Sequence, residues 1–296
     1  HNRDAGNSGT TAIGAEALRS CTTGDRNTAI GLKASSSLTT GGYNVTLGAY
    51  AGEDITTGMQ NVSIGFQAGR KGTGSDNCAI GMYTMEMTSS SSGSKNIAIG
   101  TRAGQDITTG HSNVLSGYDT GKELTTGHSN TALGDEAMKA ATTAYENVCI
   151  GKRSGYSLTT SSAIWNTIIG NGAGYDMTTA TNNVAIGHQT LDSVTTGQGN
   201  TAIGRECARS LTTGRDNIII GETAEPSSAT TDYEVTIGGN SITKFRIPGI
   251  DFELADNGGT PTNGHVLTMA SGGATWQAGS GTVSYTHLTL PTKRIV

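Results

Sequence analysis

The chain has 296 residues, a net charge of -5, 44 glycines and only 5% aromatic residues. That composition is too poor in Leu, Phe and Trp for a conventional globular core, and too regular in Ile and Val, at 15% charge, for a disordered segment. The acidic balance excludes the basic stripe of a nucleic-acid binder, and no run of about 18 apolar residues is present to insert into a membrane.

In chain order, His1 falls in the middle of a repeat, so the natural N-terminus is expected upstream. From there a glycine column runs Gly14, Gly31, Gly48, Gly65, Gly81, Gly100, Gly117, Gly134, Gly151, Gly170, Gly187, Gly204, Gly221 and Gly238. Ten of its thirteen intervals are 17 residues, one is 16 and two are 19, with the consensus N-[TV]-A-I-G-x-x-A-G-x-x-L-T-T-G-x-x. This periodicity predicts an all-β fold, a parallel β-solenoid (β-roll) of about 13 coils with 17-residue repeats over residues 1–238. Residues 239–282 are read as a short C-terminal β-rich linker. Residues 283–296 are set aside: VSYTHLTLPT back-translates to a transposon-type sequencing adapter read in frame, and is expected to be an assembly artefact that cut the natural C-terminus.

Within each repeat a large aliphatic precedes the glycine (Ile13, Ile30, Leu47, Ile99, Ile220), with a β-branched or small residue two positions earlier (Val45, Val62, Ile97, Val184). Period 2 places these two columns on one face of a short strand. The column between them (Ala29, Ala98, Ala132, Cys149, Ile168) is expected to face outward; being apolar too, it predicts burial on both faces and hence an oligomer. A further apolar column (Leu38, Ile55, Ile107, Leu124, Leu158, Leu211) precedes the Thr-Thr pairs and predicts a second strand per coil. Proline is absent before Pro226, as expected if nearly every N–H joins an inter-coil ladder.

One phase carries asparagine throughout: Asn27, Asn44, Asn61, Asn77, Asn96, Asn113, Asn130, Asn147, Asn166, Asn183, Asn200 and Asn217. Asparagine tolerates the left-handed region and bonds neighbouring backbone, so a structural Asn ladder at a solenoid corner is expected.

The pattern NTAIG…AG…LTTG…NVAIG, as over Asn44–Gly65 and Asn183–Gly204, resembles the repeats of phage tail-fibre proteins and of trimeric autotransporter adhesin heads. The resemblance covers Thr10 to Gly238, although the 17-residue period is longer than that of the adhesin heads. The segments KFRIPGIDF and TNGHVLTMASGGATWQAG resemble linkers that follow such repeats in tail fibres. It implies a homotrimer, located on a virion tail fibre or a cell surface, that attaches to a host-surface glycan or protein receptor.

No catalytic site, metal or cofactor is expected, and the chain is read as a non-enzyme. GNGAG at Gly170–Gly174 imitates a phosphate loop but consists of the repeat's own glycines. His111 and His128 share a turn phase, which in a trimer could gather metal ligands, though solvated turn residues are the simpler reading. The acidic residues Asp54, Asp106, Glu123 and Asp176 fall one per coil rather than in a groove pair. The sequons at Asn44 and Asn61 coincide with the ladder phase, and the scattered Cys21, Cys78, Cys149 and Cys207 are read as small buried residues. The threonine pairs raise an ice-binding array, but adjacent residues point to opposite faces. The long coils supply loops at 88–95 and 159–165, and Trp165 is the candidate recognition residue.

Overall fold

The computed structural model describes residues 8–86, 91–247, 252–255, 265–270 and 273–278, with side chains to Lys244. The adapter-like tail 283–296 and part of the long loop at 88–95 lie outside the described residues. The chain divides into two compact units, residues 1–240 and 241–296.

The first unit is a parallel β-solenoid. Fourteen three-residue strands, from Thr11–Ile13 to Val235–Ile237, form one sheet in which each pairs with the next coil's strand. The register is strict: Thr11, Ala12 and Ile13 face Thr28, Ala29 and Ile30, and the same columns continue to Ile220 facing Ile237. At the inter-strand spacing this stacks into a sheet about 60 Å long. The second unit holds two antiparallel hairpins, Lys244–Ile247 with Phe252–Ala255 and His265–Ala270 with Gly273–Ala278.

The strand faces are the reverse of the sequence expectation. The middle column points inward and is buried, with Ala98, Ala132, Cys149 and Ile168 at 0% exposure, whereas Ile13 is 58% and Ile99 42% exposed. The reason is room. Opposite the strand stand Ala34, Ala103 and Ala173, and beside them Leu38, Ile107 and Leu158, all buried in the same narrow interior. One coil is therefore too thin to hold two inward columns of isoleucine, so the small column fills it and the large ones are left outside.

Among the described residues, most coils also have one strand, not two. Its other side is a run of tight turns closed locally, as where the N–H of Ala34 donates to Gly31 and that of Leu38 to Ser35. Among the described residues Asp54–Ile55 and Lys71–Gly72 form a second parallel strand pair, and Tyr145 with Ile164 and Thr181 with Gln198 form single parallel bridges. At the Thr-Thr pairs two successive N–H groups, those of Thr22 and Thr23, share the Thr39 carbonyl of the next coil, which bends the chain instead of extending a ladder.

The turns depend on left-handed residues at three fixed phases per coil. Those at two, four and twelve residues after the column glycine have positive φ, for example Arg102 (57°), Met138 (51°) and Ser112 (58°). A left-handed residue costs about 1–2 kcal/mol. In each case the conformation turns the N–H along the axis: Arg102 donates to Met82 one coil back, Ser112 to Ser94 one coil back, and Met138 to Ser154 one coil on. A buried amide left unpaired would cost about 1–3 kcal/mol, a comparable amount. The column glycine is a different requirement. Gly134 has φ +135°, and a Cβ there would come within 2.6 Å of the Gly151 carbonyl of the next coil.

Candidate functional site

Two features run the length of the solenoid: a buried polar ladder inside one corner and an apolar stripe outside the sheet.

The twelve asparagines form one hydrogen-bonded column. The backbone N–H of each donates to Oδ1 of the asparagine one coil earlier at 2.9–3.1 Å, from Asn44 on Asn27 to Asn217 on Asn200. Their Nδ2 groups donate to a carbonyl of the following coil, such as Asn113 to Gly127 and Asn130 to Ala144, both 2.9 Å. The ladder continues through the 19-residue coils, where Asn166 still donates to Asn147 at 3.1 Å. Contrary to the corner argument, the left-handed residue is not the asparagine but the one before it, such as Glu146 or Trp165. The asparagines turn inward instead and are at most 8% exposed. The sequons at Asn44 and Asn61 are thus part of the interior, with Asn44 Nδ2 donating to Gly58 at 2.9 Å.

The stripe is built from the outer two columns of the sheet. One holds Ile or Leu at every strand except at Ser116, and the other alternates among Val, Ile, Thr and Cys78. These side chains are exposed or half-buried along the whole sheet. Leu32, Phe66 and Met82, each just after a column glycine, extend the apolar surface beside the early strands and are exposed. Tyr50, Phe66 and Tyr83 meet edge to face there, with ring centroids 5.9 and 5.5 Å apart. Isolated apolar side chains are ordinary on a protein surface; a largely apolar stripe running the length of a sheet is not.

Elsewhere the surface is polar and its charges pair across coils. Asp119, its side chain 3% exposed, receives Arg102 Nε at 2.6 Å and Lys139 Nζ at 3.2 Å. Lys139 also reaches Glu136 at 2.6 Å, and Arg153 Nε donates to that carboxylate at 2.5 Å. The Lys139 and Arg153 bonds hold the Glu136 carboxyl down at about 2. Asp106 is shifted the other way, upward, by burial.

His111 and His128 stack face to face at 4.8 Å, and His128 stacks on Tyr145 at 4.7 Å. Among the described residues no group of three or more His, Cys, Asp or Glu side chains is placed to hold a metal. Trp165 is 55% exposed at its turn, with its indole N–H donating to the Glu146 carboxylate one coil back. The glycines of the phosphate-loop mimic, Gly170, Gly172 and Gly174, occupy the repeat's positive-φ phases. In the threonine pairs the first hydroxyl is spent on the next coil, as in Thr108 to the Thr125 carbonyl at 3.0 Å and Thr125 to Thr142 at 3.1 Å. No disulfide joins the cysteines; Cys21, Cys149 and Cys207 are buried, while Cys78 stands half-buried in the outer stripe.

Asp54, Asp106, Glu123 and Asp176 all lie on the turn side of their coils, six residues after the column glycine and across the interior from the sheet stripe. Ser116 follows from neither the glycine period nor the asparagine phase. Its signal was available as the single polar residue in a column of Ile and Leu. No protein-family model matches the chain, and no curated protein or solved structure matches it.

Proposed function

We propose that this chain is a structural shaft of a phage tail fibre, assembled as a homotrimer and mediating attachment to a host cell surface. The observation that carries the reading is the outward stripe, where Ile13, Ile99, Ile203 and Ile220 keep a third or more of their surface in a lone chain. At about 60 Å by 10 Å the stripe offers about 600 Å² per chain, or about 1,200 Å² between two, where stable specific interfaces begin. Parallel copies have the same coil pitch, so their ridges match along the full length. A rod whose interior is closed by an Asn ladder and a small-residue core supplies stiffness and reach, and its receptor is a surface glycan or protein met through the turns.

The second reading is a bacterial trimeric surface adhesin, whose head repeats this motif resembles. Electron microscopy of the purified full chain, with retention of the labelled chain on bacterial envelopes, tests the first. Particles with a uniform shaft about 60 Å long that stay on envelopes of particular hosts support a fibre. Round particles with no retention on any envelope contradict it.

A further inference from the structure

We propose that Ser116 fixes the axial register of the chains that share the outward stripe; this rests on the self-association reading above. The outward column that ends each strand is Ile or Leu at every strand but Ser116, and those aliphatics by themselves cannot encode register. Sliding one copy by a coil, about 4.8 Å, still sets Ile or Leu of this column against Ile or Leu of the partner everywhere except at Ser116 and at the ends. The isoleucines and leucines of this column do not oppose that slip; the other outward column, which mixes Thr11, Thr28, Thr131, Thr167 and Thr201 with Val, Ile and Cys78, adds to what Ser116 does.

Ser116 breaks this degeneracy. It ends Val114–Ser116, the seventh of fourteen strands, midway along the sheet. Its neighbours in the column are Ile99 on one side and Leu133 on the other. The side chain is half-buried on the outward face, and among the described residues its hydroxyl bonds no group of its own chain. Hydroxyls facing the interior behave differently, as Ser35 and Thr46 bond one another at 3.0 Å.

When parallel copies meet in register, each Ser116 faces its equivalents and the hydroxyls bond one another. When they slip by a coil, each hydroxyl is desolvated against Ile99 or Leu133 of the neighbour with no partner. A single polar residue in an apolar seam sets register in coiled coils by the same logic, at some cost in stability.

The test uses the full chain with Cys78→Ser, which removes the native thiol from the stripe. Ile150→Cys reports the in-register state through 150–150 disulfides. Chains carrying Ile150→Cys, refolded together with chains carrying Leu133→Cys, report a one-coil slip through 150–133 disulfides. With Ser116 present, oxidation is expected to yield in-register products predominantly. Ser116→Ile is expected to raise the slipped fraction by at least about tenfold while leaving the oligomer intact. An oligomer whose product distribution is unchanged by Ser116→Ile overturns the register role alone. A chain that sediments as a monomer before and after the substitution overturns the shared interface, and the register role with it.

Discussion

Gly121 lies against the side chain of Leu115, six residues earlier: a Cβ on Gly121 would sit 2.9 Å from Leu115 Cδ2. The same spacing is filled in the opposite sense one coil on, where mid-strand Ala132 is followed six residues later by Met138, both fully buried. Ile168 with Gly174 and Cys149 with Gly155 follow the first pattern; Ala185 with Leu191 and Ala79 with Met85 follow the second. At these six levels the interior volume is therefore shared between the mid-strand residue and the residue six positions on; at Ala98 and Gly104, both small, Ile107 and Leu115 of the next coil fill the space instead.

That rule predicts coupling. Gly121→Ala adds a methyl where φ is +56° and space is taken, and is expected to cost about 1–3 kcal/mol. In a Leu115→Ala background the same change is expected to be cheaper by about 0.5–3 kcal/mol. A double-mutant cycle from urea unfolding measures this. Strict additivity would mean that the two side chains do not share a cavity.

The Asn ladder predicts a steep cost for any one rung. Asn130 Oδ1 accepts both the N–H and Nδ2 of Asn147, at 3.1 and 3.2 Å, and its own Nδ2 donates to Asn113 Oδ1 at 3.0 Å. Asn130→Ala strands several buried polar groups at once, and about 3 kcal/mol or more should be lost. Thr126→Ala, at an exposed position of the same coil, should change stability by about 0.5 kcal/mol or less. Chemical denaturation of the two variants side by side gives the comparison.

Acid should loosen the ion-pair network before it loosens the core. With the Glu136 carboxyl depressed from 4.5 to about 2, its contribution is fully present above pH 4.5 and is lost as pH falls toward 2. Unfolding midpoints of the parent should therefore fall toward those of Glu136→Gln across that window and stay above them near neutrality. Parallel pH profiles for the two proteins would show that the Lys139 and Arg153 contacts contribute nothing.

The thiols report packing directly. Burial pushes the Cys207 thiol up to about 11 and the Cys149 thiol higher still. Both should resist thiol reagents at pH 8 in the folded chain and react only on unfolding. Prompt labelling of Cys149 at pH 8 would mean that the solenoid interior opens locally.

Much of this was readable from the residues. The glycine column gave the coil period because one backbone position in every coil must adopt φ near +135°, and Asn phase survived the 19-residue coils because the ladder tolerates loops outside it. What period 2 could not supply was a sign. Ile13 and Ala12 alternate whichever of them faces in, and the usual preference for large residues inside misled. The compensation between Leu115 and Gly121, or Ala132 and Met138, held the answer, since such pairing has meaning only between side chains that share an interior. The second strand failed for another reason: left-handed residues such as Leu18, Met85 and Met138 are hidden in the sequence as ordinary apolar residues, and their φ breaks any extended run.

The proposed covering of the sheet's aliphatic face by further copies of this chain is tested most directly by its mass in solution. Sedimentation equilibrium of the full chain is expected to return the mass of three chains, against 30.2 kDa for one, and Ile186→Asp on the outward column is expected to dissociate it while the β-sheet circular dichroism is retained. A parent protein that sediments at 30.2 kDa, with Ile186→Asp indistinguishable from it, would contradict the account.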